Sequence, residues 1–170
     1  MIKVEVYDAG HGIDTLGKCS PDGSLREYKK ARELVKDIVA LRRAQGVDAR
    51  ILVPEETDIS LAERCRRVNA ICDKYGKDNV ILISVHCNAA GADGKWKSAG
   101  GWCVYTSPGQ TKADTLATDI WNAANVSLKP YIDRFPLLKA QGAYDKRQVP
   151  IRADWSDGDP DYEARFYILM

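Results

Sequence analysis

Ile2, Val4 and Val6 alternate with Lys3, Glu5 and Tyr7, the period-two pattern of a strand, and Ala9-Gly10-His11-Gly12 follows at once, so the first strand is expected to end near Asp8. Leu34, Val35, Ile38 and Leu41 fall on one helical face and predict a helix from about Leu25 to Gln45, with Gly46 placed for a left-handed cap. Ala49 to Val53 reads as a short strand closed by Pro54. Leu61, Cys65, Val68, Cys72 and Tyr75 recur at helical spacing behind Ser60 and Glu63, a capping pair, and Gly76 ends that helix. Val80 to Val85 is almost continuously Val, Ile and Leu, as expected of a central strand covered on both faces.

Downstream, Gly100 and Gly101 introduce a fourth strand at Trp102 to Thr106, and Leu116, Ala117, Ile120, Trp121 and Ala124 supply the face of a third long helix. Ser127 to Asp159 is polar and aperiodic and reads as a long surface excursion. Asp159 and Pro160 form an N-cap and first-turn pair for a last helix running to Met170. Strands alternating with helices, joined by right-handed crossovers, predict a three-layer α/β/α sandwich around a mostly parallel sheet. At 170 residues, with no repeat or linker visible, a single domain spanning 1–170 is expected.

Composition sharpens this picture at two points. Hydrophobic residues at 45% and charged residues at 29% exclude a disordered or low-complexity chain, and a net charge of +1 gives no global field towards nucleic acid or an anionic membrane. The five cysteines, Cys19, Cys65, Cys72, Cys87 and Cys103, are an odd set with no CxxC pair and are read as reduced thiols. The amino terminus opens on a strand rather than a signal peptide, and no apolar run approaches the roughly 20 residues of a membrane span.

The chemistry concentrates on the carboxyl edge of the expected sheet. His11 follows the first strand and His86 the central one, and this edge is where open α/β folds bind ligands. Glu27 belongs to the first turn of the helix between them. Two imidazoles and a carboxylate, with a fourth position left to water, form the donor set of a catalytic zinc site. A second reading of Glu27 stands beside this one: Ser24 and Glu27 spell a capping box, in which the carboxylate bonds back to the Ser24 amide.

Asp8 to Gly12, Glu27 and Ser84-Val-His-Cys-Asn-Ala89, with Ser60 to Arg64 and Val68-Asn69-Ala70 at matching spacing, resemble the zinc-dependent N-acetylmuramoyl-L-alanine amidases of the type 3 cell-wall hydrolase class. The resemblance covers essentially the whole chain. It implies a phosphorylase/hydrolase-like fold, zinc held by His11, Glu27 and His86, and cleavage of the amide between N-acetylmuramic acid and the first L-Ala of the peptidoglycan stem. Two departures stand out. The family's proton-shuttling glutamate lies on a late strand, whereas this chain reaches Phe166 to Met170 without a matching strand in the sequence reading, so the domain is expected to lack its last strand and to hydrolyse its substrate poorly. Glu163 falls inside the expected terminal helix and is not assigned that role. Pro54 and Glu55 stand where an arginine commonly follows the second strand.

Other residues carry weaker signals. Asp8 and Asn88 flank the ligand candidates and are positioned to orient imidazoles, and Arg64 is a candidate for an internal ion pair. The basic clusters Lys29, Lys30, Arg32 and Arg64, Arg66, Arg67 otherwise read as solvated helix faces. Trp96 and Trp155 are candidates for stacking on a sugar or, more simply, on their own domain. Cys87 is expected to point away from the metal by strand alternation. Two further functions share the donor set: a non-catalytic zinc- and wall-binding domain without the acid/base, and a zinc peptidase cutting elsewhere in the stem. Action at the cell wall, as an autolysin or an endolysin, is expected, with a phage-type release or a removed leader accounting for the absent signal peptide.

Overall fold

The computed structural model describes residues 2–88, 94–96, 101–106, 112–134 and 164–169. Along the chain run β1 (Val4–Ala9), α1 (Glu27–Ala44), β2 (Asp48–Ile51), α2 (Leu61–Tyr75), β3 (Val80–Asn88), β4 (Gly101–Thr106), α3 (Lys112–Arg134) and β5 (Ala164–Leu169). The strands form one sheet in the order β2-β1-β3-β5-β4, parallel except for the edge strand β4, which runs antiparallel to β5.

Every residue of β1 is buried, because helices cover both faces of the sheet. Val4 and Val6 pack with Leu82 of β3 against Cys65 and Val68 of α2. Tyr7 and Ala9 point the other way and pack with Ile83 and Val85 against Ala31, Val35 and Val39 of α1, where Leu116 and Ile120 of α3 join them. The three layers expected from the pattern are therefore present. Period-two alternation in β1 separates two apolar cores rather than a core from water, and Glu5 is accordingly buried. Its carboxylate is held by Arg42, at 2.6 and 2.8 Å, and by the Tyr7 hydroxyl at 2.9 Å. The Arg42 hydrogen bonds keep the Glu5 carboxyl below its ordinary range against the opposing effect of burial.

Ser60 and Gly46 stand at helix ends, as expected. The Ser60 hydroxyl accepts from the Glu63 amide at 3.3 Å and starts α2. Gly46, at φ 81°, closes α1 in a Schellman arrangement, its amide donating to Arg43 O and the Val47 amide to Arg42 O.

Three expectations are corrected. The segment read as a terminal helix forms β5 over Ala164–Leu169, paired with β3 on one side and β4 on the other. Phe166, Ile168 and their neighbours suit either state, and the slot between two strands with unpaired edges decides it. The third helix extends to Arg134, into the stretch read as a surface excursion. Leu41, assigned to the buried face of α1, is 61% exposed, because the buried stripe follows Ala31, Val35 and Val39. Cys19, Cys65, Cys72 and Cys87 are in the thiol form rather than in disulfides; the Cys103 side chain lies outside the described residues.

Candidate metal centre

Parallel pairing of β1 with β3 brings Asp8 opposite Ser84 and Ala9 opposite Val85, so the segment that follows β1 runs beside the last residues of β3, and His86, expected just after the central strand, lies within it. Gly10 lies so close to β3 that a Cβ there would stand 2.3 Å from the His86 ring, and its amide donates to Val85 O at 3.0 Å. A Cβ on Gly12 would fall 2.0 Å from the Asp58 backbone nitrogen. Both glycines are required by close approach, and between them His11 adopts φ 60°. A left-handed conformation in a residue with a side chain costs about 1 kcal/mol or more and must be held by its surroundings.

Glu27 is the first residue of α1. The helix is capped by the backbone of Arg26 with no side-chain capping bond, and the Ser24 amide donates instead to Asp22 Oδ1 at 3.0 Å, so the capping-box reading of Glu27 is overturned. The Glu27 carboxylate turns to the sheet edge, where Oε1 lies 3.3 Å from His11 Nε2, 3.1 Å from His86 Nδ1 and 3.0 Å from the Cys87 amide that donates to it. Burial raises the Glu27 pKa, but the hydrogen bonds with His11 and His86 outweigh it and hold the group at about 2. The carboxylate is therefore ionised at neutral pH.

One donor atom from each of His11, Glu27 and His86 lies within 4.8 Å of the other two, and among the described residues this is the only such group. The imidazoles meet edge to face with centroids 5.0 Å apart. In a tetrahedral zinc site with bonds near 2.0 to 2.1 Å, neighbouring ligand atoms stand about 3.3 Å apart. The two histidine–glutamate separations already match that spacing. Both imidazoles are about one-fifth exposed while Glu27 is buried, so the cluster is reachable from solvent at its histidines. Burial, followed by the Glu27 charge, pushes the Cys87 thiol up to about 11.

The flanking residues divide by role. Asp8 is buried, with one oxygen on Arg64 and the other accepting from Ser84 Oγ at 2.8 Å, so its carboxylate is engaged below the site rather than on an imidazole. Arg64 also donates to Ala9 O at 3.0 Å, to Asp58 at 3.0 Å and to Ile59 O at 2.8 Å, tying the end of β1 to the start of α2. Asn88 ends β3 opposite Leu169, and its side chain lies outside the described residues, as do Trp155 and Glu163. Trp96 is 67% exposed. Arg66 is solvated as expected, but Arg32 is not: it is buried and donates to the carbonyl of His11. The sequence signal for that burial is its place three residues before Val35, beside the apolar stripe of α1. Glu55 reaches this cluster through its backbone, accepting from Arg32 Nε at 2.8 Å, while its carboxylate pairs with Arg67.

No curated protein sequence matches the chain. Among solved structures, the catalytic domain of CwlV, an N-acetylmuramoyl-L-alanine amidase from Bacillus (Paenibacillus) polymyxa var. colistinus, is similar at TM-score 0.57 and 15% identity, covering 98% of this chain and 81% of that one. The CwlD amidase from Clostridioides difficile, solved with the GerS lipoprotein, is similar at TM-score 0.69 and 16% identity over the same shares, 98% and 81%. The catalytic domain of the CD27L endolysin, which targets Clostridia difficile, is similar at TM-score 0.56 and 15% identity over 98% of this chain and 79% of that one. These likenesses carry the fold. The family model for N-acetylmuramoyl-L-alanine amidase, Amidase_3, matches residues 6–135, a span that contains His11, Glu27 and His86, and the chain belongs to that family of peptidoglycan amidases.

Proposed function

We propose that this chain hydrolyses the amide between the lactyl group of N-acetylmuramic acid and the first L-Ala of the stem peptide, with zinc held by His11, Glu27 and His86. The convergence of those three donors on one open sheet edge, within a chain of the amidase family, carries the reading. When bound, zinc supplies Lewis acidity towards the scissile carbonyl and lowers the pKa of water towards roughly 7.

The chain's own residues set up that chemistry. Glu27 brings a negative charge that survives at acid pH, and the Cys87 amide fixes the orientation of its Oε1. His11 and His86 present their rings nearly perpendicular, at 88°, from two strands that cannot shift independently, because β1 and β3 share six paired positions. The family resemblance assigns the proton shuttle to a glutamate on a late strand. β5 runs parallel to β3 with Leu169 opposite Asn88, so its carboxyl end opens on the edge that carries the ligands, which supports that side of β5 as the place for the shuttle. Action on peptidoglycan implies work at the cell wall, and among the described residues no helix is long and apolar enough to cross a membrane.

The test is mass spectrometry of purified muropeptides incubated with the protein and zinc. A new free amine on L-Ala is expected. A free amine on a later stem residue would make the protein a peptidase, and retention of muropeptides without any cleavage would make it a wall-binding domain.

Gly10→Ala tests the geometry from the backbone side. The added methyl meets the His86 ring, which has to move, so zinc affinity is expected to fall about 10- to 100-fold, read by chelator competition. Affinity equal to wild type would show that His86 is not held where the metal needs it.

A further inference from the structure

We infer that Arg32 is a positioning residue for the metal centre: it anchors the His11 backbone to α1, where the His11 imidazole meets Glu27. The inference rests on the metal reading above. Arg32 lies on the second turn of α1, the helix whose first residue is Glu27, and its side chain is more than nine-tenths buried. Its Nη1 donates to His11 O at 2.8 Å and to Tyr28 O at 3.2 Å, and its Nε donates to Glu55 O at 2.8 Å.

The other end of the same peptide is also held by a side chain. The Gly12 amide donates to Thr15 Oγ1 at 2.9 Å, and the Thr15 hydroxyl donates in turn to Asp58. Both polar groups of the His11–Gly12 peptide are thus fixed, the carbonyl by Arg32 and the amide by Thr15. His11 sits in a left-handed conformation between two glycines that restrain the chain little by themselves, so the bonds that fix this peptide, and with it His11 ψ and Gly12 φ, anchor the loop that carries the imidazole. Arg32 anchors that loop with a charged donor in a buried setting, where such a bond is strong.

One rigid planar fork therefore joins three things: the helix that carries Glu27, the loop that carries His11 and the segment after β2. Lysine offers one compact donor group and cannot reach both carbonyls in the same geometry. The Arg32 bonds stop at the His11 backbone and touch neither imidazole, so the residue acts through the ligand's position rather than through the reacting atoms.

The experiment compares Arg32→Met, Arg32→Lys and a control, Arg43→Met, for zinc affinity by chelator competition, for the visible spectrum of the cobalt-substituted protein and for melting temperature without metal. Arg43 is on the same helix and donates to a backbone carbonyl, Ala49 O at 2.8 Å, away from the site. Arg32→Met is expected to lose about 10- to 100-fold in zinc affinity and to alter the cobalt spectrum, Arg32→Lys to recover part of the loss, and Arg43→Met to lose thermal stability with zinc affinity within about twofold of wild type. Equal affinity in Arg32→Met and wild type, or equal losses in Arg32→Met and Arg43→Met, would overturn the inference.

If Arg32→Met does not fold, Thr15→Val decides, because it releases the amide end of the same peptide from an exposed loop; a several-fold loss of affinity is expected, and none would overturn the inference. Wild type that binds zinc and loses it in His86→Ala, with Arg32→Met unaffected, refutes the positioning role alone. Wild type that binds no zinc refutes both.

Discussion

Replacing His86 or His11 by alanine is expected to abolish tight zinc binding while leaving the metal-free fold intact. The wild-type chain is expected to bind close to one zinc. Binding energies of order 10 kcal/mol or more spread over three protein ligands place the loss of one at about 10²- to 10³-fold in affinity at least. The fold survives because the two apolar cores are built from Val4, Val6, Val35, Val68, Leu82 and Val85 and their neighbours, whereas the ligands lie at the sheet edge beyond them. Glu27→Gln is the sharper variant. It removes a carboxylate whose ionised form is favoured in the fold by His11 and His86, so the metal-free protein is expected to melt somewhat below wild type, and zinc affinity is expected to fall as far as in the histidine variants. Titration with a chromophoric chelator alongside thermal melts reads both quantities. Zinc content unchanged in His86→Ala would refute the ligand assignment.

Arg64→Met is expected to be the most destabilising single substitution near the site. Arg64 and Asp8 are each only 3% exposed, and removing the guanidinium leaves the Asp8 carboxylate buried with Ser84 as its one remaining donor. Breaking one side of a buried pair costs about 3 to 5 kcal/mol, which for a domain of this size is a fall of roughly 6 to 20 °C in melting temperature. The carbonyls of Ala9 and Ile59 lose their donor as well. The double variant Asp8→Leu with Arg64→Met is expected to recover part of that loss, because it no longer strands a charge. Melting within about 2 °C of wild type for Arg64→Met alone would show that the pair contributes little to the platform under His11.

Much of this molecule is legible in its sequence. The near-continuous apolar run at Val80 to Val85 identifies the central strand because only a strand covered on both faces can bury every position. Ser60 and Gly46 mark helix ends because capping depends on residues a turn or less away. His11 and His86 are legible as partners for a related reason: in a parallel sheet, the carboxyl ends of neighbouring strands share one edge, so a strand pattern locates both, although β3 runs on through His86 to Asn88.

What the sequence alone determined, then, is whatever depends on periodicity and near neighbours: the strand and helix alternation, the helix caps and the edge where His11 and His86 emerge. Glu27 marks the boundary. Its spacing from Ser24 is the same in a capping box as in a metal site, and only the start of α1 at Glu27 itself, with Asp22 taking the Ser24 amide, frees the carboxylate for His11 and His86. Ala164 to Leu169 has an apolar content that suits helix and strand alike, and the open edges of β3 and β4 decide for strand through hydrogen bonds to residues more than fifty positions away. Arg32 reads as one more cation on a basic helix, and its burial follows from a carbonyl 21 residues earlier that needs a donor. In all three cases the local energies of the alternatives are close, and the tertiary structure chooses by which buried polar group would otherwise be left without a partner.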